Sequence, residues 1–362
     1  MSVDLQISRR AFLGGSLLVP FASTFARAQG FAGLGGASDG FASVVPGKAL
    51  EFPRDLGPHP DYRIEWWYLT ANLKDANGTQ WGVQWTLFRQ AMSPGAEQAG
   101  WDNRQLWMGH AAVTNAQTHR FAERFARGGV GQAGAQAVPF QAWIDSWKMG
   151  AADGFAAHSV APLALSASGN SFSYALTLEA DQPLVLQGNG GYSKKSERGQ
   201  ASYYFSQPYY KAKGSVTLDD KTVQVDGLAW MDREWSSQPL ASDQTGWDWF
   251  SLHLESGVKV MLFRLRQKDG GPYFAGNWID RSGHSEVLPA NAIEMTPAGF
   301  TDIEGRKLPT SWTIVLRDRG LKIESAPLNP KSWMGTRYSY WEGPIVFKGS
   351  QSGMGYLEMT GY

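Results

Sequence analysis

The chain has 362 residues, with 33 basic and 33 acidic side chains and no cysteine. This excludes a disulfide framework and a thiolate metal site and leaves no basic excess for phosphate recognition. Aromatic residues make up 13% of the chain, with 16 Trp beside 42 Gly, a balance that suits twisted sheets with tight turns better than helical bundles.

The first element is a leader. Ser8 precedes Arg9 and Arg10, then come Phe12 and Leu13, a weakly hydrophobic run and Ala26-Arg27-Ala28. The pattern predicts a twin-arginine export signal cleaved after Ala28, which makes the twin-arginine export machinery an expected partner and the periplasm the expected location. A membrane anchor is disfavoured, because the run is short for a span of about 20 residues and is broken by Pro20. Residues 1–28 hold three Arg and one Asp, so their removal shifts the formal net charge from zero to −2. That value argues against nucleic acid and anionic membrane surfaces alike. Residues 29–47, rich in Gly, Ala and Ser, read as a flexible linker.

From Tyr62 onward, short runs of Trp, Tyr, Phe, Val, Leu and Thr are punctuated by Asn77-Gly78, Asp226-Gly227, Ser256-Gly257, Asp269-Gly270 and Ser282-Gly283. Such pairs favour tight hairpin turns. Residues 128–140 and 150–158 read as loops or short covers, and 140–148 as one helical turn or a strand. Two segments resemble each other: Glu65 to Arg89, and Trp247 to Arg264. Each opens on Trp and a second aromatic, turns at Gly and closes on Leu-Phe-Arg, which implies two related β domains with a boundary between Ser236 and Asp243.

Several motif matches carry no chemistry. Residues 129–134 fit G-x-G-x-x-G but lack a preceding hydrophobic strand and a following helix. Residues 36–40 fit G-x-S-x-G, yet they lie in the linker, where no strand-to-helix elbow can hold a nucleophile. The six His residues have no metal-ligand spacing; no metal or cofactor is expected.

The unusual feature is a recurring grammar of acids beside aromatics. It appears as Glu65-Trp66-Trp67-Tyr68, Trp230-Met231-Asp232-Arg233-Glu234-Trp235, Trp247-Asp248-Trp249 and Tyr340-Trp341-Glu342-Gly343. In a strand, alternate residues share a face, so Trp230, Asp232 and Glu234 lie on one side. A buried carboxylate normally requires a cationic partner, and Arg63, Arg89, Arg233, Arg264 and Arg337 are available. Glu65 is expected to be a structural acid paired with Arg233. An acid left unpaired beside an aromatic wall would instead have a raised pKa and could donate a proton near neutral pH.

The ordered set "EWWY", "WMDREW", "GWDWFSLHL", "YWEGPI" and "GMGYLEMTGY" resembles the carotenoid 1,2-hydratase family, specifically its exported bacterial subgroup. The resemblance covers nearly the whole mature chain. It implies an all-β protein of two lipocalin-like antiparallel barrel domains with few short helices, here residues 48–238 and 239–362. It also implies a hydrophobic isoprenoid or lipid ligand and, for the exported members, association with a membrane transport system. Hydration of an isolated C=C would need a raised-pKa acid, aromatic faces for the carbocation and an apolar cavity. The catalytic candidates are Asp248 and Asp232 as acids with Glu234 as partner, and the cavity candidates are Trp67, Trp230, Trp247, Trp249 and Tyr340. A non-catalytic lipid-binding accessory protein would need the same cavity without the acid. A carbohydrate-stacking surface is a third reading of the aromatic belts.

Overall fold

The structure is a computed structural model that describes residues 39–95, 97–152, 160–238, 240–241 and 243–362. The export signal at 1–28, the first part of the linker and most of the loop expected at 150–158 lie outside the described residues. The first sheet contains β1 (Ile64–Asp75), β2 (Gln80–Ala91), β3 (Gln105–Asn115), β4 (His119–Arg127), β5 (Ala133–Ala137), β6 (Phe140–Ile144) and β7 (Trp147–Ala151). It continues through β8 (Leu163–Ser168), β9 (Phe172–Glu179), β10 (Val185–Leu186), β11 (Tyr192–Lys194), β12 (Ala201–Leu218) and β13 (Lys221–Ser236). The second contains β14 (Gln244–Leu254), β15 (Lys259–Gln267), β16 (Tyr273–Ile279), β17 (Ser285–Val287) and β18 (Ile293–Ile303). It ends with β19 (Arg306–Leu316), β20 (Leu321–Pro327), β21 (Trp333–Met334), β22 (Tyr340–Gly349) and β23 (Gly353–Thr360). Among the described residues the helical elements are three-residue 3-10 turns at 54–56, 100–102, 290–292 and 317–319.

The chain is therefore all-β and antiparallel, with the first sheet curled into a nearly closed barrel and the second into a half-barrel. In each sheet the first strand pairs with the last: β1 with β13, and β14 with β23. The duplicated hairpins β1–β2 and β14–β15 thus occupy equivalent places, with one correction of register. Glu65 lies opposite Arg89 and Asp248 opposite Arg264, so Trp66-Trp67 corresponds to Trp249-Phe250, one residue earlier than aromatic content alone suggests.

Turn chemistry explains most hairpins and one exception. Gly78, Gly257, Gly270 and Gly283 all have positive φ, as tight turns require. Asp226-Gly227 is instead mid-strand, with Gly227 opposite Leu73 and Ala212. A Cβ on Gly227 would stand 2.1 Å from the Asn72 carbonyl oxygen, so close strand approach explains that glycine. The β12–β13 turn is made by Asp219 and Asp220, both at positive φ. Residues 128–140, expected as loop, include β5; its Ala-Gly-Ala-Gln-Ala sequence shows no apolar alternation to announce a strand. The end of the expected linker is fastened down: the Ala42 N–H donates to Asp61 at 2.9 Å, and Ser237 Oγ donates to the Ala42 carbonyl at 2.6 Å.

Alternation sends Trp67, Leu69, Trp85, Leu87 and Trp235 into the first barrel, and Phe250, Leu252, Leu262, Trp312 and Leu357 into the second core. Burial of each such side chain contributes about 1.5–3 kcal/mol. The opposite faces of β1, β12, β13, β14, β15 and β23 pack against each other through Tyr68, Tyr204, Trp230, Trp249, Phe263 and Tyr356. This seam explains why both faces of β1 are buried, and it holds the candidate site.

Candidate functional site

The seam encloses a cavity of about 80 Å³ walled by Trp66, Tyr68, Tyr204, Trp247, Trp249 and Phe263. Acidic groups of β13 and β23 reach it, Asp232, Glu234 and Glu358, together with the amine of Lys195. A water position needs roughly 10–15 Å³ on this measure, so a reacting group and a water fit side by side.

Register builds the floor of the site. Ser206, Asp232, Tyr68, Thr86, His110 and Glu123 stand opposite one another in turn on β12, β13, β1, β2, β3 and β4. Pairing partners project to one face, so a polar row crosses six strands of an otherwise apolar seam. From the second sheet, Glu342 on β22 lies opposite Glu358 on β23, which lies opposite Trp249 on β14.

Asp232, only 3% exposed, has no cationic partner among the described residues. Neutral donors hold it instead: Tyr204 Oη donates to Oδ2 at 2.7 Å, while Ser206 Oγ and Trp230 Nε1 donate to Oδ1 at 2.5 and 2.6 Å. Burial outweighs these bonds and pushes the carboxyl up to about 7. The two hydroxyls can rotate to accept as well as donate, so the same shell serves both the charged and the neutral acid. Glu358 receives Trp247 Nε1 at 2.5 Å and is pushed up to about 7 by burial, with the negative charges of Asp232 and Glu234 adding to the shift. Glu342 accepts from Tyr68 Oη at 2.6 Å and is raised well above the usual carboxylate range by burial and by Glu358. Glu234 is paired, with Lys195 Nζ at 2.8 Å and the Ser202 hydroxyl donating to it.

The other two acids of the recurring grammar lie in ion pairs away from the cavity. Glu65 accepts from Arg89 Nε and from Arg233 Nη2, the latter at 2.5 Å, and also from the His59 N–H at 2.9 Å. Burial pushes its carboxyl up, but the Arg89 and Arg233 charges prevail and hold it well below the usual range. Asp248 is gripped by Arg264 and Arg266, both at 2.7 Å, and accepts from Tyr362 Oη at 2.7 Å. This is a correction to the expectation that Asp248 is a free acid: it is the counterpart of Glu65, a buried carboxyl held by two guanidinium groups.

Trp247 and Trp249 line the cavity. Trp230 stands behind Asp232 and meets Trp249 edge-on at 6.4 Å. Tyr340 is one step removed, hydrogen-bonded to His110 Nδ1 at 3.0 Å, with His110 Nε2 3.1 Å from Glu123. Trp67 points the other way, into the first barrel, with its Nε1 donating to Leu56 at 3.0 Å and Arg233 over its ring at 3.8 Å; Trp66 takes the cavity wall in its place. Unanticipated participants are Trp66, Tyr68, Tyr204, Ser206, Lys195 and Glu358. No group of His, Asp or Glu suited to a metal ion occurs among the described residues.

Comparison with known proteins supplies the kinship. A family model described as AttH-like matches residues 43–362. A solved structure described as AttH, from Nitrosomonas europaea, is 31% identical, with a TM-score of 0.78 over 89% of this chain and 100% of that one. Kievitone hydratase from Nectria haematococca shares the fold at 15% identity, with a TM-score of 0.64 over 89% of this chain and 96% of its own. No curated protein matches the sequence.

Proposed function

The chain belongs to the AttH-like family, and from that premise we propose that it binds a hydrophobic isoprenoid or lipid in the seam cavity and adds water to an isolated carbon–carbon double bond there. The observation that carries this reading is Asp232: a buried carboxyl without a cation, held by neutral donors and facing aromatic walls. The fold shared with a hydratase supports the reading without specifying the substrate.

The chemistry follows from the residues present. The Asp232 proton adds to the less substituted alkene carbon, the π electrons form the new C–H bond, and positive charge develops on the more substituted carbon. Trp66, Tyr68 and Trp249 line the space around that charge, and aromatic quadrupoles attract it. Water then forms the C–O bond and loses a proton to the Glu358 carboxylate. Asp232 and Glu358 are both pushed up to about 7, so returning the proton from one to the other is close to thermoneutral and restores the starting state. Lys195 fixes Glu234 beside them.

An acyclic isoprenoid incubated with the protein in ¹⁸O-labelled water tests this. The expected product is an alcohol carrying the label, formed by the wild type and lost in Asp232→Asn. Labelled product at an undiminished rate in that variant contradicts the assignment. Export rests on Arg9 and Arg10: replacing both with Lys is expected to strand the precursor in the cytoplasm, because the receptor reads those side chains. An association with a membrane transport system is the corresponding proposal for a partner.

A further inference from the structure

We propose that the seam cavity is a site for organic cations, specifically an alkylammonium head carried on an apolar tail. The inference deepens the functional reading above only in using the same cavity; binding of a stable cation needs no catalysis.

The walls and the charge balance both point to it. Trp66, Trp249 and Tyr68 surround the space, and such rings recognise quaternary ammonium by their negative faces. Asp232, Glu234 and Glu358 face the same space against a single amine, Lys195, whose pairing with Glu234 leaves the other two without a counter-charge among the described residues.

The tail has a path. Trp66 and Phe88 belong both to the cavity and to an adjoining groove walled by Ile64, Leu106, Met108 and Phe125. Leu106 and Phe125 are 44% and 50% exposed, so the groove beyond the shared Trp66 and Phe88 opens to solvent over mostly apolar side chains, beside the buried Glu65–Arg89 pair. A head in the cavity therefore leaves its chain on Phe88 and Met108. A tertiary-butyl head has the same shape as trimethylammonium without the charge, which isolates the electrostatic contribution.

The test uses the purified protein and three twelve-carbon probes below their micelle concentrations: dodecyltrimethylammonium, its tertiary-butyl carbon isostere and dodecanoate. Calorimetry at pH 8 is expected to show the ammonium binding roughly tenfold more tightly than the isostere, with dodecanoate weakest. At pH 5.5 the preference is expected to shrink to about threefold or less, because Asp232 and Glu358, both pushed up to about 7, become neutral. Near pH 7 ammonium binding should release protons, seen as a dependence of the heat on buffer ionisation, and isostere binding should not. Asp232→Asn and Glu358→Gln are each expected to reduce the preference severalfold while leaving isostere affinity unchanged. Equal affinity for ammonium and isostere at pH 8, or a preference that does not change with pH, overturns the inference while sparing the functional reading. Failure of all three probes to bind overturns both.

Discussion

Two sets of buried carboxylates occur in the same two sheets of this molecule, and they are held by opposite means. Glu65 and Asp248 occupy equivalent hairpin positions, and each is gripped by two guanidinium groups. Asp232, Glu358 and Glu342 meet at the seam and are held by hydroxyls and indoles. The same residue type thus serves two ends. Where cations surround it, the carboxylate stays charged and ties strands together; where only neutral donors surround it, burial retains its proton. What separates structure from chemistry here is the partner, and the partner is assigned by strand register.

The largest expected effect comes from breaking the first set. Glu65→Gln leaves Arg89 and Arg233 buried at 1% exposure with their counter-charge gone, and unfolding free energy is expected to fall by about 3–5 kcal/mol, read from thermal and denaturant transitions. A loss below about 1 kcal/mol would show that the clamp does not hold the barrel.

The second set should give the opposite pH signature. Asp232 has a folded pKa of about 7 against 3.8, so the folded state holds its proton more firmly. The stabilisation from this group is fully present below about pH 4 and is lost as pH rises through 7, amounting to on the order of 4 kcal/mol. Asp232→Asn should flatten that slope and make the protein relatively more stable at pH 8. Glu65 has a depressed folded pKa, so its contribution is present above about 4.5 and lost as pH falls through the folded value. Denaturation curves from pH 3 to 9 for wild type and Asp232→Asn separate the two slopes; an unchanged slope in the variant breaks the contrast.

Asp248→Asn tests the equivalence of the two clamps. Its partners Arg264 and Arg266 are 14% and 17% exposed, so solvent softens their loss and a cost of about 1–3 kcal/mol is expected. Ligand affinity, measured with the alkyl probes above, should change by less than about threefold. The smallest effect is expected for Trp247→Phe, which keeps an aromatic but smaller ring at the wall and removes the Nε1 donor to Glu358. Loss of one hydrogen bond to a protonated carboxyl costs about 0.5–1.5 kcal/mol, and the Glu358 pKa should move further up, since that bond lowers it.

Much of this arrangement could be read from the sequence, and the limits have a physical cause. Period-two alternation placed Trp230, Asp232 and Glu234 on one face, and the repeated aromatic hairpins announced two related sheets. Alternation could not say which face of β1 met the second sheet, so Trp67 was favoured over Trp66 for the cavity wall. Pairing between β1 and β13 joins residues about 150 to 172 positions apart, and only that pairing sets Tyr68 beside Asp232 and Arg233 beside Glu65. One local signal does distinguish the two sets. The seam acids each follow an aromatic residue by two positions on the same face, as in Trp230-x-Asp232, Tyr340-x-Glu342 and Tyr356-x-Glu358, whereas Glu65 follows Arg63 and Asp248 follows Gly246. That spacing identifies Glu358, which acid-beside-aromatic reading alone passes over.

The central claim is that Asp232 carries a proton at the seam near neutral pH, and infrared difference spectroscopy across a pH titration tests it most directly. The account predicts a protonated-carboxyl absorption in the wild type that disappears with a midpoint near pH 7 and whose Asp232 component is missing from Asp232→Asn. A wild-type protein whose seam carboxyls all titrate below pH 5, with a spectrum unchanged by that substitution, contradicts it.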